Sequence, residues 1–397
     1  MDEARDVGAR VREVRKRRGL TQRELAVSSG VSVSVVRKLE QGIYGGLRLE
    51  TAHKLAVVLR VPTSALLTGP DAREPDRDSV EQWDSVRRAL EGTLPVEDEG
   101  EPTFEGVSAA FAEAVPLLVE NRYAEVGVLL PGLLHDADAL VESSVNGSET
   151  EARGLRAQIR QVCALLMSHT WQFSVADHAI ALAVDDASDP LTQMSVIDEQ
   201  CWGLIRAGRL TETRELATRW ADEAEPRMSR AGRDELAAWG RFLLRVSTAA
   251  VRDNRPGEAR DALRLARMAA AGGGSDFLLP YNPWQVFGPV TVSIIQAENA
   301  MILDRPEVTL AIGSQLEGRP FPVSRHYHRH RLDVAHAHVA LRQYAEAVGI
   351  LQEIRGAAPE WLGQQRYAGD ILAKVIEHRR SLTVEMRELA DFLHLAL

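Results

Sequence analysis

From about residue 107 to the end of the chain, apolar residues recur with the 3.6-residue period of amphipathic helices, and short polar turns interrupt them. The turns fall at 121–125, 171–173, 208–210, 254–259, 304–306 and 342–347, roughly 37 to 50 residues apart, the signature of stacked helix pairs. The second helix of a pair carries small and apolar residues on one face. Examples are Ala124, Leu129 and Leu130; Ala259, Ala262, Leu263 and Ala266; and Ala347, Ile350 and Leu351. Such faces let paired helices approach closely and stack.

The first 69 residues read differently. An amphipathic helix bearing Val7, Val11 and Val14 precedes a segment at 20–42 that reads as helix, tight glycine turn and second helix. Thr21 stands at an N-cap position with Glu24 as its capping-box partner, Gly30 permits the sharp reversal, and Ser32 caps the second helix. Leu25 and Ala26 then face Val31, Val36 and Leu39 in a small shared core. The outward positions Val33, Ser34, Val35, Arg37 and Lys38 are short or basic, as a helix lying in a DNA major groove requires. A further helix follows around Thr51, Leu55, Ala56 and Leu59.

Thr21-Gln22, Leu25-Ala26, Gly30-Val31-Ser32 and Leu39-Glu40-Gln41-Gly42 together resemble the Cro/λ-repressor-like (XRE-type) helix-turn-helix family over residues 7–69. The resemblance implies that Gln22 and Gln41 hold backbone phosphates while Val33, Ser34 and Arg37 reach base edges. The chain departs from the family at Tyr44-Gly45-Gly46-Leu47, where a basic residue and a proline are common.

Charge sharpens this picture. The whole chain of 397 residues is acidic, at −10, which taken alone argues against nucleic acid. Residues 1–70, however, carry 13 Lys+Arg against 7 Asp+Glu, and the rest carries 34 against 50. A basic head binds phosphates while an acidic body limits non-specific wrapping. With 45% hydrophobic and 26% charged residues the composition is that of a soluble globular protein with room for two or three domains. The charged start and the short apolar runs predict a cytoplasmic protein without a membrane span, and Cys163 and Cys201 read as buried hydrophobes in a reducing compartment. From Gly69, Pro70, Pro75, Pro95 and Pro102 punctuate an acidic stretch carrying one amphipathic segment (Val80, Trp83, Val86, Leu90). We read it as a linker whose Trp83 face docks on a neighbour.

The predicted fold class is therefore all-α. A five-helix helix-turn-helix domain (1–69) is followed by an acidic linker with a short helix (70–106) and a right-handed α-solenoid (107–397). The solenoid resembles tetratricopeptide (TPR) repeats most clearly at 254–266 and 342–351, although the full repeat signature is missing from most repeats, so another helical-pair solenoid fits as well. A helix-turn-helix head on such a body is similar to the peptide-responsive, quorum-sensing regulators of Gram-positive bacteria. That resemblance implies a homodimer on a pseudo-palindromic double-stranded operator and a signalling peptide or small-molecule effector in the concave face.

Candidate ligand residues are Trp171, Trp239, Asn282, Trp284, Asn299, His326 and Arg329. The aromatic insertion at 277–287 follows three glycines, and its prolines fix an extended path. It reads either as a loop pinned by its aromatics or as a wall over a groove. His326 and His330 lie four apart on one helix face, but zinc needs three or four ligands and no H-E-x-x-H occurs, so no metal is assigned. No phosphate loop, G-x-S-x-G or paired nucleophile and base is found, and neither a cofactor nor an enzymatic activity is expected. The competing reading is a constitutive DNA-bound scaffold whose groove recruits a protein partner.

Overall fold

The structure is a computed structural model and describes residues 2–43, 47–67, 81–94, 101–144, 148–319, 321, 323–379 and 381–395. Tyr44, Gly45, Gly46, Gly69, Pro70, Pro75, Val80, Pro95 and Asn146, which figure in the sequence reading, lie outside the described residues. The N-terminal domain holds α1 (Asp2–Arg17), α2 (Gln22–Ser29), α3 (Val33–Glu40) and α4 (Leu49–Leu59). In place of a fifth α-helix there is a single 3₁₀ turn, Thr63–Ala65. A short helix, α5 (Asp84–Leu90), follows, and Trp83 at its start is buried against Gly127, where any Cβ would collide with the indole.

The body is a succession of helix pairs: α6 (Phe104–Val119) with α7 (Tyr123–Ser143), α8 (Glu149–His169) with α9 (Phe173–Asp186), and α10 (Pro190–Arg206) with α11 (Leu210–Glu223). Next come α12 (Arg233–Arg252) with α13 (Pro256–Gly273), α14 (Pro289–Ile302) with α15 (Pro306–Leu316), and α16 (Ser324–Ala340) with α17 (Tyr344–Ala357). The short α18 (Pro359–Gly363) precedes α19 (Arg366–Glu377) and α20 (Val384–Phe392). Each of the six turns read from the sequence holds one residue in the left-handed region: Asn121 (φ 63°), Trp171 (65°), Gly208 (76°), Asn254 (57°), Asp304 (56°) and Arg342 (60°). That conformation ends one helix and reverses the chain into the next.

One element breaks the all-α pattern. Residues in the aromatic insertion form an antiparallel hairpin of β1 (Phe277–Leu279) and β2 (Asn282–Phe287). Asp276 fixes its exit by accepting hydrogen bonds from the Val290 and Thr291 amides, at 2.8 and 2.9 Å, which caps α14. β2 crosses to the first repeat, where the fully buried Trp284 meets Phe111 edge to face at 5.9 Å. The last repeat also returns to the first two. The Ala124 amide donates to Glu360 at 2.9 Å, the Trp171 indole to the Gln364 carbonyl at 3.4 Å, and the Arg366 guanidinium lies 3.7 Å from the centre of the Trp171 ring. The last helix pair thus closes against the first two, and one apolar core joins residues of the first pairs, from Trp83 to Val196, to those of the last, from Leu332 to Ala390, with Trp284 between them. Among the described residues no helix is long and apolar enough to cross a membrane.

Candidate nucleic-acid interface and the cavity beneath it

The Thr21 hydroxyl accepts the Glu24 amide at 3.1 Å, while the Thr21 amide donates to the Glu24 carboxylate at 2.7 Å, closing the capping box. Gly30 is left-handed at φ 66°, and Ser32 accepts the Val35 amide at 3.2 Å. Leu25, Ala26, Val36 and Leu39 are buried with Val7, Val11, Leu55 and Leu59. α1 crosses the end of α3 so closely that a Cβ on Gly8 would overlap the Leu39 carbonyl.

Glu40 ties α3 down. Arg15 donates to both its oxygens at 2.6 and 2.8 Å, and Gln22 donates to one of them at 2.9 Å. Burial works against the charge on Glu40, but the hydrogen bonds from Arg15 and Gln22 and the Arg15 charge outweigh it and hold the carboxyl below its ordinary range. Gln22 is thereby fixed at the start of α2, half-buried, beside the end of α3. Ser34, Arg37, Lys38 and Gln41 are exposed on the outward side of α3, whereas Val33 and Val35, expected to face outward with them, are half-buried at its two flanks, with Val33 packed against the core of the domain. Among the described residues neither Arg37 nor Lys38 makes an ion pair, so both charges are available to phosphate or base edges.

The opposite side of this domain is docked in the concave face of the body. Arg48 pairs with Asp370, Glu50 with Lys374 at 3.0 Å, and His53 Nδ1 donates to the Arg252 carbonyl at 2.9 Å. The Ser64 amide donates to the buried Asp253 at 2.8 Å, and Asn254 donates to the Val61 carbonyl at 3.2 Å. The head thus bridges α12 and α19. Sequence reasoning missed this contact, because its partners lie 189 to 324 residues apart.

Behind the head is a cavity of about 930 Å³. Its walls are the first helices of the pairs, α8, α10, α12, α14 and α16, together with α19, and its lid includes Glu50, His53, Val57 and Val58 of the head. Of the candidate ligand residues, Trp171, His326 and Arg329 line it. The other four do not. Trp239 and Trp284 are buried in apolar cores, Asn282 donates to Ser195 Oγ at 2.8 Å, and Asn299 donates to Ser247 Oγ at 2.8 Å. The aromatic insertion is therefore pinned by its own rings, with Phe287 filling the space that Gly240 leaves, while Gln285 reaches the cavity. His326 is desolvated and its pKa is pushed well down, next by the Arg325 charge; His330 is buried with neither ring nitrogen bonded to protein. Among the described residues no group of three His, Cys, Asp or Glu side chains is placed to hold a metal.

A chain of polar contacts runs from the cavity wall to the head. Glu298 accepts from Arg252 at 2.6 Å and from Arg329 at 3.1 Å, and Arg329 lies 3.8 Å from Asp333. Tyr367 donates its hydroxyl to Asp333 at 3.1 Å, so His336 Nδ1, 2.9 Å from that hydroxyl, must be the donor to it. Nε2 is then the acceptor for Lys374 at 2.9 Å, and Lys374 also donates to Glu50 of the head. This neutral tautomer agrees with the His336 pKa, pushed down to about 4 by burial and then by the Lys374 charge.

Residues 11–66 match the helix-turn-helix family. Over 60 residues the chain is 43% identical to the uncharacterized HTH-type transcriptional regulator RghRB of Bacillus subtilis (strain 168), a match covering 15% of this chain and 43% of that protein. Over 82 residues it is 28% identical to the HTH-type transcriptional regulator SinR of Bacillus licheniformis, covering 21% of this chain and 74% of that one. The chain thus spans less than half the length of the first of these relatives, and both matches are far shorter than the helical body.

Proposed function

We propose that this chain, whose N-terminal domain is a helix-turn-helix domain of the XRE type, is a sequence-specific DNA-binding transcription regulator that acts as a homodimer and whose operator affinity is modulated by an effector in the helical-repeat body. The observation that carries the reading is the two-sidedness of the head: Ser34, Arg37 and Lys38 are exposed on one side while α4 is fastened to the body on the other. A single reading helix contacts only a few base pairs, so useful specificity asks for two heads on half-sites about 34 Å apart or a multiple of that. The body supplies the remaining surface for self-association.

The contacts from Glu298 to Glu50 support effector control, because a ligand that displaces Arg329 or Asp333 alters the hold on the head. Its effect on operator affinity is bounded by its preference for one head position over the other. A signalling peptide or a small molecule fits a cavity of this size. The test is fluorescence anisotropy on DNA fragments captured from genomic DNA by the full chain, with sedimentation of the same samples. Wild type is expected to bind captured fragments as a dimer and to lose affinity on Arg37→Ala. Equal binding by both proteins to captured and random duplexes contradicts the reading.

A further inference from the structure

The arginines lining the cavity differ in how they are compensated. Arg241 and Arg245 share Asp198, and Arg252 and Arg329 share Glu298. Arg206 and Arg325 have no such partner: among the described residues neither lies within ion-pairing distance of a carboxylate. Arg206 donates to the Ser168 and His169 carbonyls at 3.0 and 3.4 Å, and its guanidinium sits 4.9 Å from the centre of the Trp171 ring and 6.0 Å from that of Trp202. Arg325 is 4% exposed, bonds the Trp284 carbonyl, and leaves Nη1 without a hydrogen-bond partner in the protein. His169, 3% exposed, has neither ring nitrogen bonded to protein. All three line the same cavity.

A buried cation without a counter-charge is costly, and a buried donor without an acceptor adds to the cost. Desolvation accordingly pushes Arg206 down to about 10 and also lowers Arg325. The Glu199 charge favours both cations from a distance, but Glu199 makes no ion pair with either and neither of its carboxyl oxygens is hydrogen-bonded to protein. Burial, with the charges of Arg206 and Arg325, also keeps His169 neutral, leaving it one N–H to donate. The wall therefore presents two guanidinium groups and one neutral donor to a low-dielectric space, beside a Trp171 ring that carries Arg206 at 4.9 Å and Arg366 at 3.7 Å from its centre. The surfaces that continue it are apolar: Leu165, Ile205 and Leu244 beside it, Ile294 and Ile295 on α14, and Val58 on the head.

We propose that Arg206, held against the Trp171 ring, and Arg325 bind the carboxylate of an amphipathic acid whose apolar body fills the cavity up to the head. A monoanionic carboxylate matches this donor set, because two oxygens accept from two guanidinium groups and one imidazole. The proposal rests on the cavity being the effector site and adds the chemistry that the site reads. The carboxylate belongs to a free organic acid or to the end of a short apolar peptide.

The test is calorimetric titration of the full chain with two matched pairs: 1-naphthaleneacetate and its amide, and the dipeptide leucyl-phenylalanine and its C-terminal amide. At least one acid is expected to bind tenfold or more tightly than its amide, and Arg206→Gln is expected to reduce that acid to the level of its amide while leaving the amide unchanged. Preference for the naphthyl acid points to a free acid, and preference for the dipeptide to a chain terminus. The comparison of acid with amide in wild type needs no variant, and Arg206→Lys checks that folding and charge are retained. Acid and amide binding alike in wild type overturns the carboxylate site and leaves the effector cavity standing. Failure of all four to bind at millimolar concentration overturns the carboxylate site, whereas a shift of operator affinity by cell extract would then still uphold an effector elsewhere.

Discussion

Lys374→Ala removes the cation that joins the head to the cavity wall, at 3.0 Å from Glu50 and 2.9 Å from His336. The Lys374 and Glu50 side chains are 30% and 39% exposed, so the pair is partly screened by solvent and is worth about 0.5–1 kcal/mol rather than the 3–5 kcal/mol of breaking a buried pair. Glu50 also keeps Lys54 at 2.8 Å, so it is not left without a cation. The ratio of docked to undocked heads is expected to fall about two- to fivefold.

Single-molecule energy transfer on the full chain reads this directly, with dyes on Arg23→Cys in α2 and Arg264→Cys in α13, both exposed positions. The native thiols do not compete, because Cys163 and Cys201 are buried and burial raises both, Cys163 to about 12. A second readout is the imidazole of His336, held at about 4 by burial first and the Lys374 charge second. The substitution is expected to move its titration upward but to leave it below the ordinary histidine value, since burial persists. An unchanged distribution of transfer efficiencies together with an unchanged His336 titration would refute the coupling.

Three further outcomes are expected. Arg37→Ala costs ~1–3 kcal/mol on the preferred site and relaxes the base preference there, whereas Gln22→Ala weakens all duplexes about equally; anisotropy on specific and random DNA separates the two. Glu40→Ala leaves Arg15 and Gln22 without their shared acceptor and lowers the stability of the N-terminal domain by about 3–5 kcal/mol, measurable as loss of hydrogen-exchange protection in α1 to α3. Burial raises Glu199 to about 7, so this carboxyl contributes stability that is lost as pH rises from about 4.5 to about 7, while the buried His169, His326 and His336, whose pKa values are lowered, contribute in the opposite sense over the same window. Glu199→Gln is expected to remove its falling contribution, so that in urea titrations the variant gains stability relative to wild type as pH rises from about 4.5 to about 7; an unchanged difference across that window would contradict it.

The parts of the fold legible in the sequence are those set by local chemistry. Thr21 with Glu24, Gly30 and Ser32 specify caps and a reversal within a dozen residues, and the structure places each where the spacing predicts. The repeat turns were legible for a similar reason, since Asn121, Gly208, Asn254 and Asp304 are residue types that tolerate a left-handed backbone. Trp171 and Arg342 adopt it without that advantage and were found only through the helical periods on either side. What the sequence left open depends on distant partners. The prolines of the insertion imply an extended path, but not that Trp284 would cross to Phe111 instead of facing a groove. Trp239 sits on a helix whose buried face is broad, and its period does not reveal which side meets the cavity. Arg206 is conspicuous only because no repeat brings it a carboxylate, which no local pattern records.

As proposed, the outward face of α3 reads DNA on behalf of a body that sets its presentation. This is tested most directly by selecting bound duplexes from a random-sequence pool with the intact chain and with Arg37→Ala. Wild type is expected to enrich a pseudo-palindrome with half-site centres about 34 Å, or a multiple of that, apart, and Arg37→Ala to lose preference at one position in each half-site. Enrichment of no motif, or of the same motif with the same preference by both proteins, would contradict it.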